Sequence, residues 1–202
     1  MKRTTLVGAV AASAVGGLGA VAAGVGAQTS SVEAATAVLH VPEGGAIGRV
    51  NMTALEGGGV LVRAVIRKGA VPPGFHGFHV HAVGACDPAA RNAAGAPAPY
   101  DSAKGHLNPA GGTHGAHAGD LPTLLVTSTS RAVLETVTDS LTLADVLDAD
   151  GAALIVHAGR DNQANIPPRY SSPAGPGPDS DTLATGDSGG RIACGAVRAV
   201  DD

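Results

Sequence analysis

Three of the eight histidines in this 202-residue chain fall within six positions, in the stretch from residue 74 to residue 86. In an extended strand, successive side chains point to opposite faces, so His79 and His81 would lie on the same face. Two neutral imidazoles on one face of a strand provide half of a binding site for copper or zinc. A surface strand that is merely rich in histidine would show the same pattern, so the pair alone leaves both interpretations open.

Four more possible metal ligands lie in a segment without a strand pattern, between residues 87 and 120. They are His106, His114, His117 and Asp120, at successive spacings of 8, 3 and 3 residues. Three imidazoles and one carboxylate suit a tetrahedral zinc ion, which would hold in shape a loop that has no core of its own. The alternative is a solvated loop that is rich in histidine. Because loops of this length are usually functional or disordered, the ligand residues favour a functional loop.

Short alternating and β-branched runs, separated by glycine and proline turns, supply the elements that would position these ligands. They predict eight strands, at residues 35–41, 47–55, 60–67, around 74–86, 121–127, 132–138, 152–157 and 191–200. Residues 141–150 indicate a turn-rich link with one short helical turn. The pattern predicts an antiparallel sandwich or barrel with two long loops, at residues 87–120 and 158–190. With no Trp, two Phe and two Tyr, its core must be built from Val, Leu, Ile and Ala.

The first 27 residues have the composition of a secretory signal peptide. Lys2 and Arg3 precede an apolar run of Ala, Val, Gly and Leu, and small residues at positions 25–27 allow cleavage after Ala27. A permanent membrane anchor is the alternative, but the run is weakly hydrophobic and lacks stop-transfer charges. We expect a signal peptide at residues 1–27, a flexible lead at 28–34 and one domain at 35–202. Export without stable membrane insertion after cleavage would leave the protein secreted, periplasmic or associated with the cell envelope.

Charge and cysteine content narrow the functional classes further. The formal net charge is −4 and the chain has no basic tract, so binding to nucleic acid is not expected. Cys86 and Cys194 are the only cysteines, and an oxidising compartment would allow them to form a disulfide. Two free thiols are the alternative that composition leaves open.

Five separated segments, taken in order, resemble the signature segments of the copper–zinc superoxide dismutase family, in particular its exported bacterial type. They are Gly-Phe-His-Val-His at residues 77–81, Gly-His-Leu-Asn-Pro at 105–109, His-Ala-Gly-Asp-Leu at 117–121, Val-His-Ala-Gly at 156–159 and Gly-Gly-Arg-Ile-Ala-Cys-Gly at 189–195. The resemblance covers residues 35–200, nearly all of the expected mature chain. It implies an all-β fold, an eight-stranded antiparallel Greek-key sandwich or barrel with two long functional loops.

The resemblance also implies a role for each candidate residue. Copper would be bound by His79, His81, His106 and His157, and zinc by His106, His114, His117 and Asp120, with the His106 imidazolate bridging the two ions. The other matching positions are a carboxylate that links a copper histidine to a zinc histidine (Asp161), an arginine beside the open copper position (Arg191), a structural histidine (His76) and an intrasubunit disulfide (Cys86–Cys194). We expect Asp161 to connect His79 with His114.

The implied enzyme disproportionates superoxide to molecular oxygen and hydrogen peroxide by alternate reduction and reoxidation of copper, as an antioxidant defence outside the cytoplasm. Arg191 would attract and orient the substrate anion, and His106 would carry a proton to the product. A monomer or a homodimer is expected, since family members differ in assembly. Two features depart from the family pattern: His114 and His117 are only three residues apart, and the loop at residues 158–190 has no recognisable steering lysines.

Other classes of protein are compatible with parts of this pattern. They are a secreted copper-binding or copper-delivery protein, a zinc hydrolase, and a sandwich that uses metals only for folding. Delivery modules related to the family tend to lose copper ligands or the arginine, and this chain has both. A hydrolase would need an open zinc position, which four protein ligands would close. The combined pattern therefore favours the dismutase.

Overall fold

The computed structural model describes residues 33–67 and 69–200. The predicted signal peptide and residues 28–32 of the predicted lead lie outside this part of the chain. The described residues belong to one compact unit. None of the helices within these two ranges is long and apolar enough to span a membrane.

Most regular structure in the described residues is extended. They form twelve strands: β1 (Ala34–His40), β2 (Ala46–Ala54), β3 (Val60–Ile66), β4 (Gly74–His76), β5 (Phe78–His81), β6 (Leu124–Val126), β7 (Ala132–Thr138), β8 (Ala153–His157), β9 (Ser171–Ser172), β10 (Gly175–Pro176), β11 (Arg191–Ala196) and β12 (Arg198–Ala199). Helical elements in the same ranges are a 3₁₀ turn (Asp101–Ala103), α1 (Leu143–Val146) and α2 (Ser180–Thr185).

Eight of these strands form one antiparallel sheet. Its hydrogen-bonded order is β5-β8-β11-β1-β2-β3-β7, and β12 also pairs with β1. A separate short ladder pairs β4 with β6. Because β4 leads into β5 and β6 turns into β7, this ladder connects the two edges of the large sheet. The predicted all-β, antiparallel fold with a Greek-key strand order is confirmed.

Some strand boundaries differ from the prediction. The segment expected as one strand at residues 121–127 contains only β6, which pairs with β4 instead of joining the large sheet. The last predicted strand, at residues 191–200, is divided into β11 and β12, and the second long loop contains β9, β10 and α2. The total of eight strands in the main sheet therefore agrees with the prediction, but the set of strands is not the predicted one.

The strand predicted around residues 74–86 is divided at Gly77 into β4 and β5. A Cβ atom at Gly77 would overlap the side chain of Ser188, so the second long loop packs directly on the backbone at this point. The main chain of Gly77 accepts a hydrogen bond from His157 N and donates one to Gly159 O, both at 2.9 Å. Before Gly77 the chain pairs with β6, and after Gly77 it pairs with β8. The pairing with β8 positions β5, which carries His79 and His81.

Alternation of buried and exposed residues explains why these segments fold as strands with one face inward. In β3 the buried residues are Val60, Val62, Ala64 and Ile66, the face predicted from the sequence. The main core is aliphatic except for Met52 and Phe78. Burying a side chain of the size of Leu or Val contributes roughly 1.5–3 kcal/mol, so an aliphatic core of this extent can hold the sheet without Trp.

Cys86 and Cys194 form a disulfide, which confirms the predicted pairing. It joins the end of the histidine-bearing strand region to β11 across 108 positions of sequence. In the chain-entropy model a loop of this length corresponds to a stabilisation of about 4–5 kcal/mol. Around Cys194 lies a second, smaller cluster of buried side chains: Tyr100, Ala103, Ala153 and Ile155.

The first long loop is held against β5 by main-chain hydrogen bonds. Leu107 N donates to Val80 O at 2.8 Å, Val80 N donates to Gly119 O at 2.9 Å, and Gly119 N donates to Leu107 O at 2.9 Å. Leu107 follows His106 and Gly119 precedes Asp120 in the chain. Three segments of main chain therefore meet at Val80. Their contact brings His106 and Asp120, the first and last ligand candidates of the loop, to the strand that carries His79 and His81.

Gly119→Ala should destabilise the protein, because an added Cβ would overlap the carbonyl oxygen of Val80 at this contact. We expect the free energy of unfolding to fall by about 2–3 kcal/mol, the usual effect of overpacking against backbone. Urea unfolding of the metal-free protein measures it. Gly45→Ala is the matched control, since its Cβ would meet only Val41 Cγ2 at 3.7 Å. Equal unfolding midpoints for the two variants would contradict the packing argument.

Candidate metal centre

The seven ligand candidates come from three parts of the fold and meet beside β5. His79 and His81 lie on β5, and His157 is the last residue of β8, the strand paired with β5. The first long loop contributes the other four, His106, His114, His117 and Asp120. All six histidines are at most 8 % exposed. Buried imidazoles that are not needed for packing point to ligand binding, because each polar nitrogen must otherwise find a partner.

The first group consists of His79, His81, His106 and His157, whose candidate ligand atoms all lie within 4.8 Å of one another. Two of the rings are oriented by backbone carbonyls: His81 Nδ1 donates to Lys104 O at 2.7 Å and His157 Nδ1 donates to Gly189 O at 2.9 Å. Their Nε2 atoms are left as acceptors, 3.3 Å apart. Four imidazoles form a donor set that copper accepts in both of its oxidation states.

The second group surrounds Asp120 Oδ1. This oxygen lies 2.8 Å from His106 Nδ1 and 3.3 Å from the Nδ1 atoms of both His114 and His117. His106 Nδ1 and His117 Nδ1 are 3.2 Å apart. A tetrahedron with metal–ligand bonds of about 2.0 Å has edges of about 3.3 Å, so these four distances, out of six edges, are compatible with a zinc site. The short separation of His114 and His117 in sequence does not prevent this convergence.

Two buried nitrogens support the fit to metal ions. His79 Nδ1 and His114 Nδ1 have no hydrogen-bond partner among the residues that the structure describes. An unpaired buried polar atom costs about 1–3 kcal/mol unless a ligand satisfies it. Because the Nε2 atoms of His79 and His114 are bonded to Asp161, these Nδ1 atoms are the nitrogens left for a metal ion. The residues present therefore fit one ion in each cluster.

His106 is the member that the two groups share. Its nitrogens converge with those of His79, His81 and His157, and also with the ligand atoms of His79, His114 and Asp120. His117 Nδ1 lies 3.2 Å from His106 Nδ1, and the ring centroids of His106 and His79 are 4.0 Å apart. The main chain of His106 is fixed by an antiparallel β-bridge to His81 and by the hydrogen bond from Leu107 N to Val80 O. An imidazole has donor atoms on two sides of the ring, so one residue can belong to two metal sites at once.

Asp161 lies between the two groups, fully buried, and joins His79 to His114. Its Oδ2 accepts from His79 Nε2 at 2.5 Å, and its Oδ1 accepts from His114 Nε2 at 2.7 Å. Gln163 N also donates to Oδ1, at 2.7 Å. These bonds assign the Nε2 protons and direct both Nδ1 atoms to the ligand clusters, the type of outer support that metal-binding histidines require.

Burial sets the protonation state of the first group. It lowers the pKa of His79 and His81, and it lowers the pKa of His157 to about 3. For His81 the positive charge of Arg191 acts in the same direction. The three rings are therefore neutral near pH 7, the state in which imidazole binds a metal ion.

The second group differs because two carboxylates lie in it. Burial acts to lower the pKa of His114, but the nearby carboxylates of Asp120 and Asp161 outweigh it and raise that pKa to about 9. Burial would raise the pKa of Asp120 and Asp161, but their histidine partners hold both well below the usual range. A cation bound here would displace the extra proton from His114, since a ligand nitrogen must be deprotonated.

Arg191 lies beside the first group, at the start of β11, where it pairs in register with His157. Its Nη1 donates to Tyr100 O at 2.5 Å and its Nη2 donates to Lys104 O at 2.6 Å. An open cleft of about 380 Å³ gives access to this corner and is lined by the following residues: His81, Gly105, His106, His157, Asp181, Ala184, Thr185, Asp187, Gly189 and Arg191. Solvent therefore reaches the first group next to the guanidinium of Arg191. Asp181 and Asp187, from the second long loop, also line the cleft.

Other residues support the site without joining either group. His76 Nδ1 donates to His157 O at 2.8 Å and Nε2 approaches Pro72 O at 3.0 Å, so this histidine fixes the end of β8. Tyr100, Lys104 and Gly189 act through main-chain oxygens, and the sequence does not predict these contacts. No residue-type signal marks such a contact, because every residue has a carbonyl group.

Comparisons with known proteins agree with this geometry. A model of the family "Copper/zinc superoxide dismutase (SODC)" matches residues 46–197. The Cu-Zn superoxide dismutase of Mycobacterium tuberculosis is 40% identical over 173 residues, covering 84% of this chain and 72% of that protein. The Escherichia coli K12 enzyme of the same name is 37% identical over 135 residues, covering 64% and 67%. The solved Cu/Zn superoxide dismutase from Brucella abortus superposes with a TM-score of 0.62 at 30% identity, covering 82% of this chain and 100% of that one.

Asp161→Asn should weaken metal binding in both groups. The amide oxygen of Asn could still accept a hydrogen bond from one of the two histidines, His79 or His114, but its NH₂ group would face the N–H of the other. We expect affinity for zinc and copper to fall by about 10–100-fold, the usual effect of losing such an outer partner. Competition with a chelator, followed by metal analysis, measures this loss. Asp148→Asn removes an exposed carboxylate that belongs to neither group and serves as the control. Unchanged metal affinity in Asp161→Asn would contradict the orienting role.

Proposed function

The chain belongs to the copper/zinc superoxide dismutase family, and from this premise we propose how its residues bind the two metals and the substrate. It is a superoxide dismutase with copper and zinc as cofactors. One observation carries the detailed assignment: His106 belongs to both groups of donor atoms, and it lines the cleft beside Arg191 together with His81 and His157 of the first group.

In the proposed assignment, copper is bound by His79, His81, His106 and His157. The support is the all-imidazole composition of this group and the Nε2 atoms left free by the carbonyls of Lys104 and Gly189. When bound, copper supplies the one-electron reduction and reoxidation by which two superoxide anions become molecular oxygen and hydrogen peroxide. The protein residues keep the rings neutral and fixed, so a change of oxidation state requires little rearrangement of the chain.

Zinc is assigned to His106, His114, His117 and Asp120. The support is the spacing of their four donor atoms, 2.8–3.3 Å around Asp120 Oδ1. Four protein ligands close a tetrahedral shell, which suits a structural role and leaves no open position for hydrolytic chemistry. His106 would serve both sites, and its nitrogen on the copper side would take up a proton when it is not bound to the metal and later pass that proton to the product.

Arg191 is proposed to attract and orient superoxide. Its charge persists at any ordinary pH even though burial lowers its pKa, because guanidinium titrates far above the neutral range. Hydrogen bonds to two carbonyls hold the group at the edge of the cleft that reaches His81, His106 and His157. A fixed cation at the end of a cleft raises the local concentration of a small anion.

An exported antioxidant role is part of the proposal. It rests on the signal-peptide composition of residues 1–27 and on the disulfide, which persists in oxidising compartments. We accordingly assign the mature protein to the secreted, periplasmic or envelope-associated fraction, with superoxide as its substrate. Both donor clusters are built from one chain, so catalysis requires no second subunit, and a monomer or a homodimer would both be competent.

Metal analysis of the purified mature protein, combined with a superoxide-disproportionation assay, tests the proposal. We expect copper and zinc in equal amounts and loss of activity when copper alone is removed, since zinc does not change oxidation state. Replacing copper should restore activity. A protein that binds both metals yet does not accelerate disproportionation would indicate a copper-binding or copper-delivery protein and contradict the proposed function.

Arg191→Ala should lower the second-order rate of superoxide removal by about 10–100-fold, because the cation that concentrates the anion is lost. The remaining activity should also depend less on ionic strength, and metal content should not change. Stopped-flow assays at several salt concentrations measure both effects. Arg131→Ala removes an exposed arginine that lies in the hairpin before β7 and serves as the control. A similar loss in both variants would show that net charge matters, not the position of Arg191.

A further inference from the structure

The guanidinium of Arg191 depends on two main-chain oxygens that belong to an unusual stretch of backbone. Tyr100 has φ 65° and Lys104 has φ 63°, both in the left-handed region that favours glycine. Each carbonyl accepts a hydrogen bond from Arg191, and Lys104 O also accepts one from His81 Nδ1. Non-glycine residues persist in such conformations only where the surrounding structure enforces them. Some contact must therefore hold the segment at residues 100–104 in this shape.

Tyr100 is the residue of this segment with the strongest contacts to the sheet. Its side chain is 2 % exposed and packs in the cluster with Ala103, Ala153, Ile155 and Cys194. Its hydroxyl donates to His40 O, at the end of β1, at 2.9 Å. Its main-chain nitrogen donates to Asp87 O at 2.8 Å. The peptide unit that carries the carbonyl for Arg191 is therefore held through the ring, the hydroxyl and the amide.

The phenol stays a hydrogen-bond donor over the whole working range of pH. Burial, together with the negative charge of Glu43, raises the pKa of Tyr100 to about 12. The His40 carbonyl can only accept, so the bond requires the protonated phenol. This contact therefore persists under all conditions in which the enzyme would act.

The disulfide reaches Arg191 only indirectly. Cys86 precedes Tyr100 by fourteen positions. Within residues 33–67 and 69–200, the main chain of Cys86 makes no hydrogen bond to the guanidinium of Arg191. Its neighbours are tied to the segment instead: Ser102 Oγ donates to Ala85 O at 2.9 Å and accepts from Asp87 N at 3.0 Å. Tyr100, which packs on Cys194, is thus the contact between the bridge and the arginine.

We propose that Tyr100 is a positioning residue for Arg191, whose ring and hydroxyl hold its own carbonyl in the orientation that fixes the guanidinium at the cleft. This inference rests on the proposed role of Arg191 in binding superoxide. Tyr100 acts through the arginine and is not among the residues that line the cleft in the described part of the chain. Because the same segment supplies Lys104 O to His81, it sets the direction of the guanidinium relative to one ring of the first group.

Tyr100→Phe removes only the hydroxyl and tests the proposal directly. Arginine modification by phenylglyoxal, located by peptide mass analysis, reports how freely each guanidinium is available, in the metal-free protein and in the metal-loaded enzyme. We expect Arg191 to react about 2–10-fold faster in the variant, the change expected when one buried hydrogen bond is lost. Arg131, measured in the same samples, is the internal reference and should not change.

A second readout uses azide as a small anionic probe of the metal-loaded enzyme. Its dissociation constant and the KM for superoxide should both rise by the same 2–10-fold, whereas kcat at saturation and metal content should change little. Tyr170→Phe, which removes the hydroxyl of the only other tyrosine, is the matched control and should leave the reactivity of Arg191 at the wild-type level. If Tyr100→Phe does not fold, Tyr100→Met supplies the same measurements with an apolar side chain of similar length.

The proposal is overturned if a folded Tyr100 variant shows wild-type reactivity of Arg191 and wild-type affinity for azide. It is also overturned if the variant loses metal while Arg191 reactivity stays constant, since Tyr100 would then support only the fold. Failure of the proposed function is distinguishable: a wild-type protein that is inactive with both metals bound would refute catalysis, while faster modification of Arg191 in Tyr100→Phe would still confirm the positioning role.

Discussion

In four of the six buried imidazoles of this site, the position of the proton is fixed by an oxygen that accepts it on the far side of the ring. His81 and His157 donate to main-chain carbonyls, and His79 and His114 donate to the two oxygens of Asp161. Only when one nitrogen is committed in this way is the other a defined acceptor that can bind a cation. The rest of the structure must hold these four oxygens and four rings in register, and both long loops supply some of the oxygens.

The loops meet this requirement through backbone contacts rather than through a core of their own. The first is tied to β5 at Val80, whose main chain accepts a hydrogen bond from Leu107 N and donates one to Gly119 O. The second passes over Gly77, which leaves room for Ser188, and so brings Gly189 O to His157. The disulfide and the cluster around Tyr100 fasten the remaining corner, where the guanidinium of Arg191 lies. Ligand binding and folding are therefore parts of one network in this protein.

Sequence patterns predict those features that depend on side-chain type. Alternation identifies β1, β2, β3 and β7 nearly residue by residue, and the histidine spacing on β5 indicates one shared face. Patterns do not predict contacts made by backbone. The division at Gly77, the pairing of β6 with β4, and the carbonyls of Tyr100 and Lys104 have no marker in residue type. The three-residue spacing of His114 and His117 suggests a distorted site. In the structure, Gly115 turns the chain with φ 91°, and its main-chain N–H donates a hydrogen bond to Asp120 Oδ2.

The central claim is that two unlike metal ions are joined through one residue, His106. A crystal structure of the metal-loaded, oxidised enzyme, with anomalous diffraction recorded on both sides of the copper and the zinc absorption edges, tests it most directly. We expect copper to be bound by His79, His81 and His157, and zinc by His114, His117 and Asp120. The His106 ring should be bonded to both ions. A structure in which His106 binds only one ion, or in which His157 points away from the copper, would contradict it.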